Sequence, residues 1–338
     1  MTASRVRQTL ASVASVPLTL FGLILVTFLI GRAMPIDPVI AIAGDHAPPD
    51  VIARVRTELG LDKPLPVQFA IYMGQLLHGN LGNSVMTSHP VTEDIARFFP
   101  ATLELATVAI IIAILIGVPL GVVAAWRQGS RFDHVVRVVS LAGQSVPVFV
   151  LGLVCLLVFY AKLGIAPGTG QIDVAYEGMV PPITGMLVLD AALEGDWDSF
   201  WNAGSHLVLP SLVLAYFSMA YITRMTRAFM IESLAGEYIV TARAKGLSAT
   251  RILWRHAFGN IAVRLVTVLA LAYAGLLEGA VITETVFSWP GIGLYLTGSL
   301  LNADMNAVLG ATLVIGLVYL VLNLLADLAY RLLDPRVR

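Results

Sequence analysis

The chain has 338 residues, of which 57% are hydrophobic and only 13% charged, and its mean hydropathy is +0.83. Soluble domains carry roughly 45–50% apolar and about 25% charged residues, so a water-soluble globular fold is excluded. The net charge of -1 gives no basis for a nucleic-acid partner, and the single cysteine, Cys155, excludes an internal disulfide and reads as a small core hydrophobe in an apolar run.

A membrane-spanning helix takes about 20 mostly apolar residues. Six stretches qualify: about Val13 to Met34, Thr102 to Trp126, Val135 to Leu163, Leu207 to Thr226, Leu265 to Ile282 and Ala307 to Tyr330. They predict an all-α integral membrane protein with both ends on one side. The first run exceeds the apolar core of a signal peptide and no small-x-small cleavage site follows, so a retained anchor is expected. With the termini in the cytoplasm, only Arg32, Arg54, Arg56, Lys63, Arg97 and Lys162 of the 21 Lys and Arg residues fall outside. The bias of cationic residues towards the inner face therefore predicts cytoplasmic termini.

After the first span, Pro35-Ile-Asp-Pro38 marks a break at the outer interface, and a long loop follows. Asp50 to Leu59 reads as a short helix with Asp50 in the cap position and Gly60 ending it; Val67 to Leu77 reads as a second, ended by Gly79. This region is expected to form a small periplasmic cap, either a packed loop or a docking surface. The second span carries Gly117-Val-Pro-Leu-Gly121 and the third carries Pro147, with kinks expected at both prolines, for packing or as a hinge. Between them, Trp126 to Arg137 is a short basic loop whose Arg127 and Arg131 are placed to reach membrane lipid headgroups. The outside loop from Gly164 to His206 holds Asp173, Glu177, Asp190, Glu194, Asp196 and Asp198 and no Lys or Arg. It is either a solvated loop on a face that avoids positive charge, or a cluster that raises the local concentration of cations or of a peptide's α-amino end. Trp197 and Trp201, four residues apart, fit an interfacial helix at headgroup level.

Glu232 to Asn260 is a polar island between apolar segments. Thr241, Ala242 and Ala244 are small, Arg243 and Lys245 are cationic, and Gly246 followed by Ser248 reads as a helix stop and then an N-cap. The pattern predicts a cytoplasmic helix-turn-helix that lets another backbone approach closely, as docking into a partner's groove requires. Further along, Glu278 lies within the fifth span. At about 1.5 Å per residue it is roughly 21 Å beyond Arg264 in a hydrocarbon core of about 30 Å. A carboxylate at that depth should face protein or a water-filled path, or snorkel to the outer headgroups.

There is no G-x-x-x-x-G-K-[ST] phosphate loop, so the chain itself is not expected to hydrolyse ATP. The six histidines lack metal-binding spacing, and no nucleophile-base pair is visible, so catalytic and metal-ligating residues are expected to be absent.

Thr241-Ala-Arg-Ala-Lys-Gly-Leu-Ser248, with Arg255-His-Ala257 and Asn260, resembles the coupling or EAA loop of ATP-binding-cassette (ABC) importer permeases of the dipeptide/oligopeptide/nickel class. Pro100-Ala-Thr-Leu-Glu-Leu-Ala106, Gly117 to Gly121, Glu284-Thr-Val-Phe-Ser-Trp-Pro-Gly-Ile-Gly293 and Leu333-Asp-Pro-Arg336 resemble the same class in the same order. Glu58-Leu-Gly-Leu-Asp62 and Gly79-Asn-Leu-Gly82 extend the resemblance over nearly the whole chain. It implies the type I ABC importer permease fold, with six transmembrane helices and cytoplasmic N- and C-termini, in the bacterial inner membrane. Residues 1–100 would form the first helix and the periplasmic cap, and 101–338 a five-helix core with its coupling loop at about 230–260. The resemblance assigns coupling to the ATPase to Glu237, Thr241, Ala242, Arg243, Ala244, Lys245 and Gly246. It implies no cofactor in this chain, with ATP and magnesium on two partner ATP-binding subunits. The further partners implied are a second homologous permease and a periplasmic solute-binding protein, with peptides, nickel, opines or other small solutes as cargo.

The chain departs from the class at Val263-Arg264, where an apolar residue and proline are usual, at Val240, where the loop's naming glutamate would stand, and at Glu278, where a small or apolar residue is expected. The competing reading is a self-contained secondary transporter or channel. It would need buried charge networks in several helices, whereas the mid-helix candidates are few, chiefly Glu278 with Asn323 and Asp327. A membrane enzyme lacks any catalytic constellation.

Overall fold

A computed structural model describes residues 3–33, 39, 46–58 and 60–333. The Pro35 to Pro38 break, Leu59, and the stretch after Leu333 with Arg336 and Arg338 lie outside the described residues, as do the side chains of Arg5, Arg7, Asp327 and Arg331. Apart from one isolated bridge between Asn83 and Pro90, the regular structure described is helical. In chain order the principal helices are α1 (Ala3–Ala33), α2 (Pro49–Glu58), α3 (Leu65–Leu77), α4 (Val91–Trp126), α5 (Arg131–Ser145), α6 (Val148–Lys162), α7 (Leu187–Glu194), α8 (Trp197–Leu234), α9 (Glu237–Ala244), α10 (Ala249–Phe287), α11 (Ile292–Leu301) and α12 (Met305–Leu333).

By length and composition, α4, α8, α10 and Met305–Leu325 of α12 can each cross a membrane, and α5 with α6 makes a fifth only if the bent pair counts as one span. The described part of α1 adds a shorter apolar helix, Pro17–Arg32. The third expected span is thus two helices at 101° to each other, not one kinked rod. The cause is local: proline disfavours helical geometry in the residue before it. Val146 is accordingly extended (φ -89°, ψ 123°), and Pro147 starts the next helix. Pro119, by contrast, sits inside α4 without ending it. Both α6, over Leu156–Lys162, and α10, over Ile252–Phe258, contain a π-helical segment.

Several boundaries differ from expectation. Helix α4 begins at Val91, well before Thr102. Asp50 lies in the first turn of α2 and not at its cap. Trp197 and Trp201 are not on a separate interfacial helix but on the first turns of α8, because Asp196 accepts a hydrogen bond from Ser199 N (3.1 Å) and starts the long helix there. Gly60 (φ +65°) and Gly79 (φ +72°) do close α2 and α3, as expected.

Two compact units arise from these elements, Met1–Phe99 with Ile292–Leu320, and Pro100–Gly291 with Val321–Arg338. In the first, Val91, Ile95, Ile292, Tyr295, Ala307 and Ala311 form a buried cluster. Two buried carboxylates pin the loop before α4. Thr87 Oγ1 and Tyr295 Oη donate to Asp94 (2.6 and 2.9 Å), while Ser84 Oγ and Met86 N donate to Asp304 (2.6 and 3.1 Å).

In the second unit α8 is central, packed mainly on α10 and α5. The Gly117 to Gly121 stretch of α4 also meets it. A Cβ on Gly121 would lie 2.7 Å from Thr223 O and Thr226 Cβ, and Thr223 Oγ1 donates to Gly117 O at 3.1 Å. Glycines at this spacing let the two backbones approach, as is common in membrane helix pairs. Asp133 of α5 ties to the same helix, its carboxylate accepting both Arg227 Nε (2.6 Å) and a terminal guanidinium nitrogen (2.9 Å).

Candidate functional site

The polar island folds as a short helix, a tight turn and a long helix. α9 ends when Gly246 N donates to Arg243 O (2.9 Å) and Leu247 N reaches back to Ala242 O (3.2 Å), with Gly246 at φ +71°. That left-handed geometry suits glycine, which has no Cβ to clash. Two residues on, Ser248 Oγ accepts from Arg251 N (3.4 Å) and opens α10.

α9 has two unlike faces. Ile239 and Ala242 are buried, three residues apart on one side. Tyr238 Oη donates to Ser233 O (2.9 Å), and Ser233 Oγ donates to Ala257 O (2.9 Å), which joins the end of α8, α9 and the π turn of α10. On the other side Glu237, Thr241, Arg243, Ala244, Lys245 and Gly246 are all exposed. Of the seven expected coupling residues, Ala242 alone is buried. The guanidinium of Arg243 lies 5.9 Å from the Trp126 ring at the end of α4. Arg264, which stands where proline is usual, pairs with Glu232 at 2.9 Å and so bridges the two helices that bound the loop. Both side chains are well exposed, and such a surface pair contributes at most about 1 kcal/mol.

Along α10, Glu278 is exposed, and so are Leu271, Ile282 and Thr285 at helical spacing. Gly275, on the same stripe, has open space where a side chain would project. One face of α10 is therefore left uncovered by the described residues and carries a single carboxylate.

Family models match nearly the full length. The binding-protein-dependent transport system inner membrane component matches residues 117–338, and the N-terminal membrane component of the same systems matches residues 5–106. The chain belongs to this family of binding-protein-dependent permeases. It is similar to the probable D,D-dipeptide transport system permease of Escherichia coli (strain K12), 44% identical over 322 residues covering 95% of this chain and 94% of that protein. It is also similar to the di/tripeptide permease of Pseudomonas aeruginosa (strain UCBPP-PA14), 42% identical over 321 residues with 95% of each chain covered. The dipeptide permease of Escherichia coli (strain K12) is 39% identical over 322 residues, again with 95% of each covered. The permease is accordingly a multi-pass inner-membrane subunit of an ABC importer, a class that works with a solute-binding protein and ATPase subunits.

Within the permease, two motifs far apart in sequence meet. Thr102 Oγ1 donates to Glu284 Oε1 (2.6 Å), Trp289 Nε1 donates to Ala101 O (3.0 Å), and Gly291 lies so close to the Glu284 carboxyl that a Cβ there would overlap it. Nearby in sequence, Glu104 accepts from Val188 N (2.8 Å) and from the Gln171 amide (3.2 Å). Glu104 and Glu284 are both buried in apolar helices, so buried carboxylates are more numerous than expected. Each is held by fixed donors of its own unit, and they act as clasps. The signal was present in the sequence, since a carboxylate in an apolar helix is costly unless paired.

The acidic loop is also largely used internally. Buried Asp190 accepts from Ile183 N, Thr184 N, Thr184 Oγ1 and Gly185 N at 2.6–3.1 Å. Asp196 caps α8, and a hydrogen bond from the Asn202 amide, with His206 beside it, holds Asp173 below the usual carboxylate range. Glu177, Glu194 and Asp198 remain exposed. These donors are mainly neutral groups, so they fix the carboxylates in place without cancelling their negative charge.

Proposed function

We propose that the permease crosses the membrane six times with both termini in the cytoplasm, and that the exposed face of α9 docks into a groove of an ATPase subunit. The observation that supports this reading best is the two-sidedness of α9: one face is bonded to α8 and α10 through Tyr238 and Ser233, and the other presents small and cationic side chains to a partner. A helix fixed in that way passes a push from the ATPase directly into α10. In this reading residues 1–100 supply the first span and a periplasmic cap, and 101–338 the five-helix core. The chain lacks an ATPase site of its own, and ATP and magnesium are held by two partner subunits. A second, homologous permease completes the pathway against the uncovered face of α10. Relatives named for dipeptide, D,D-dipeptide and di/tripeptide transport support a short peptide as the solute.

Uptake of a labelled dipeptide into proteoliposomes tests the reading. The assembled transporter is expected to require ATP and the binding protein, and this chain alone, under a proton or sodium gradient, is expected to accumulate none. Gradient-driven uptake by the chain alone would establish the secondary-transporter alternative instead.

Glu278 is assigned to the outer part of the path, where it meets a cationic group of the solute. Glu278→Gln keeps the volume and removes the charge. Transport of dipeptides with an additional positive charge is expected to fall about fivefold relative to neutral ones, as for a partly hydrated charge contact of about 1 kcal/mol. Equal transport of both would return Glu278 to a role at the headgroups.

A further inference from the structure

A cavity of about 510 Å³ lies inside the first unit, walled by α1, α3, the 81–88 loop and the first turns of α12. Its volume is that of a small-molecule site. Helix α3 turns Gln68, Ile71, Tyr72 and Gln75 towards it, the i, i+3, i+4, i+7 positions of one face.

Three polar features of this cavity are unanswered among the described residues. Gln68 is only 8% exposed, and its Nε2 donates to Leu61 O (3.3 Å) and Lys63 O (2.8 Å). Those two carbonyls fix the orientation of the amide, and they leave Oε1 buried with no hydrogen-bond partner. A buried polar atom in that condition calls for a donor. Arg32, in the last turn of α1, stacks on Phe28 at 5.3 Å and has no carboxylate partner among the described residues. Among the described residues, no Asp or Glu lines the cavity. Tyr72 also stacks on Phe28, 5.8 Å between ring centroids, and its hydroxyl has no partner among the described residues.

The ligand that answers these features carries one negative charge for Arg32 and a hydroxyl donor for Gln68. Its position adds a third requirement. Arg32 ends the apolar helix Pro17–Arg32, and Met305 starts the apolar run of α12, so the cavity sits where greasy helices give way to polar chain. We propose that this cavity binds the headgroup of a hydroxyl-bearing anionic phospholipid of the phosphatidylglycerol type, with its phosphate on Arg32 and its acyl chains leaving along the apolar walls. The lipid sits in the outer leaflet, and that placement rests on the topology proposed above.

The test uses the full-length chain in its assembled transporter, reconstituted in phosphatidylcholine nanodiscs doped with dioleoyl-phosphatidylglycerol, with retained lipid counted by native mass spectrometry. The wild type is expected to retain phosphatidylglycerol over phosphatidylcholine. Arg32→Gln should lower that retention at least about tenfold, as loss of a charge-assisted contact does, and Arg32→Lys should preserve part of it. Equal phosphatidylglycerol retention by wild type and Arg32→Gln, at equal thermal stability, overturns the proposal. Displacement of the lipid by millimolar glycerol 3-phosphate also overturns it, because the site would then take a soluble phosphate. Thr92→Cys, exposed in the first turn of α4 and away from the cavity lining, reports the side separately in a Cys155→Ser background. Labelling by an impermeant maleimide from outside the cell is expected, and labelling only from inside would overturn the leaflet assignment and the topology while the lipid count still decides the site.

Discussion

Ala244→Trp is expected to abolish coupled transport, with binding-protein-stimulated ATP hydrolysis falling about 10- to 100-fold while the chain stays folded and inserted. Ala244 is exposed on the outer face of α9, so an indole there disturbs nothing within the chain. Against a partner groove the same indole is overpacking, which in close-packed contacts costs about 1–3 kcal/mol. Gly246 is a poorer place for this experiment. Its φ of +71° is unfavourable for any side chain, so a loss of function there would confuse a broken turn with a blocked interface. Reconstituted transporter carrying Ala244→Trp, correctly inserted and still stimulated by the loaded binding protein, would rule out docking through this face.

The second large effect is one of stability. The Asp133 side chain is 1% exposed and takes a two-pronged hydrogen bond from Arg227, with Gly129 N adding a third donor at 3.0 Å. Planar guanidinium-carboxylate pairs of this kind are the strong ones. Asp133→Ala leaves a largely buried guanidinium without its partner, and breaking a buried pair in this way costs about 3–5 kcal/mol. The lower end applies, because Arg227 keeps 20% exposure and some contact with water. A fall in the thermal midpoint of the purified complex should reveal it. Asp133→Ala combined with Arg227→Met should recover part of the loss, since the two sites share one interaction. An Asp133→Ala complex as stable as the wild type would show that the pair contributes nothing to α5 and α8 packing.

Legibility in the sequence followed the range of the interaction. The stop at Gly246 and the cap at Ser248 could be read because both are set by backbone geometry within a few residues. Apolar length alone marked α4, α8, α10 and α12. The angle at Pro147 could not be read, because proline's local rule says that a helix breaks and leaves the direction of the next helix to packing. Nor could the inward turn of Ala242, which depends on where α9 starts and so on its phase around Ile239. The Thr102 to Glu284 contact spans 182 positions. Its two motifs were each recognisable, but no local rule joins them. The meaning of Arg264 was hidden for the same reason, its partner Glu232 lying on the far side of the loop.

The π segment of α10, Ile252–Phe258, stands between the contact with Ser233 and the stripe that bears Glu278. A π turn accommodates an additional residue relative to an α turn, so it works as an angular offset in the shaft. Loss of one residue there would restore ordinary winding and leave the rest of the rod on nearly its present bearing, whereas loss of the π turn at unchanged length would rotate the rod by about 100° with respect to the loop. Glu278 would then take the bearing now held by Gly279, which packs beside Leu214. The π turn is thus a timing element, and its loss without a compensating deletion would mis-index the permease even if every side chain named above were kept.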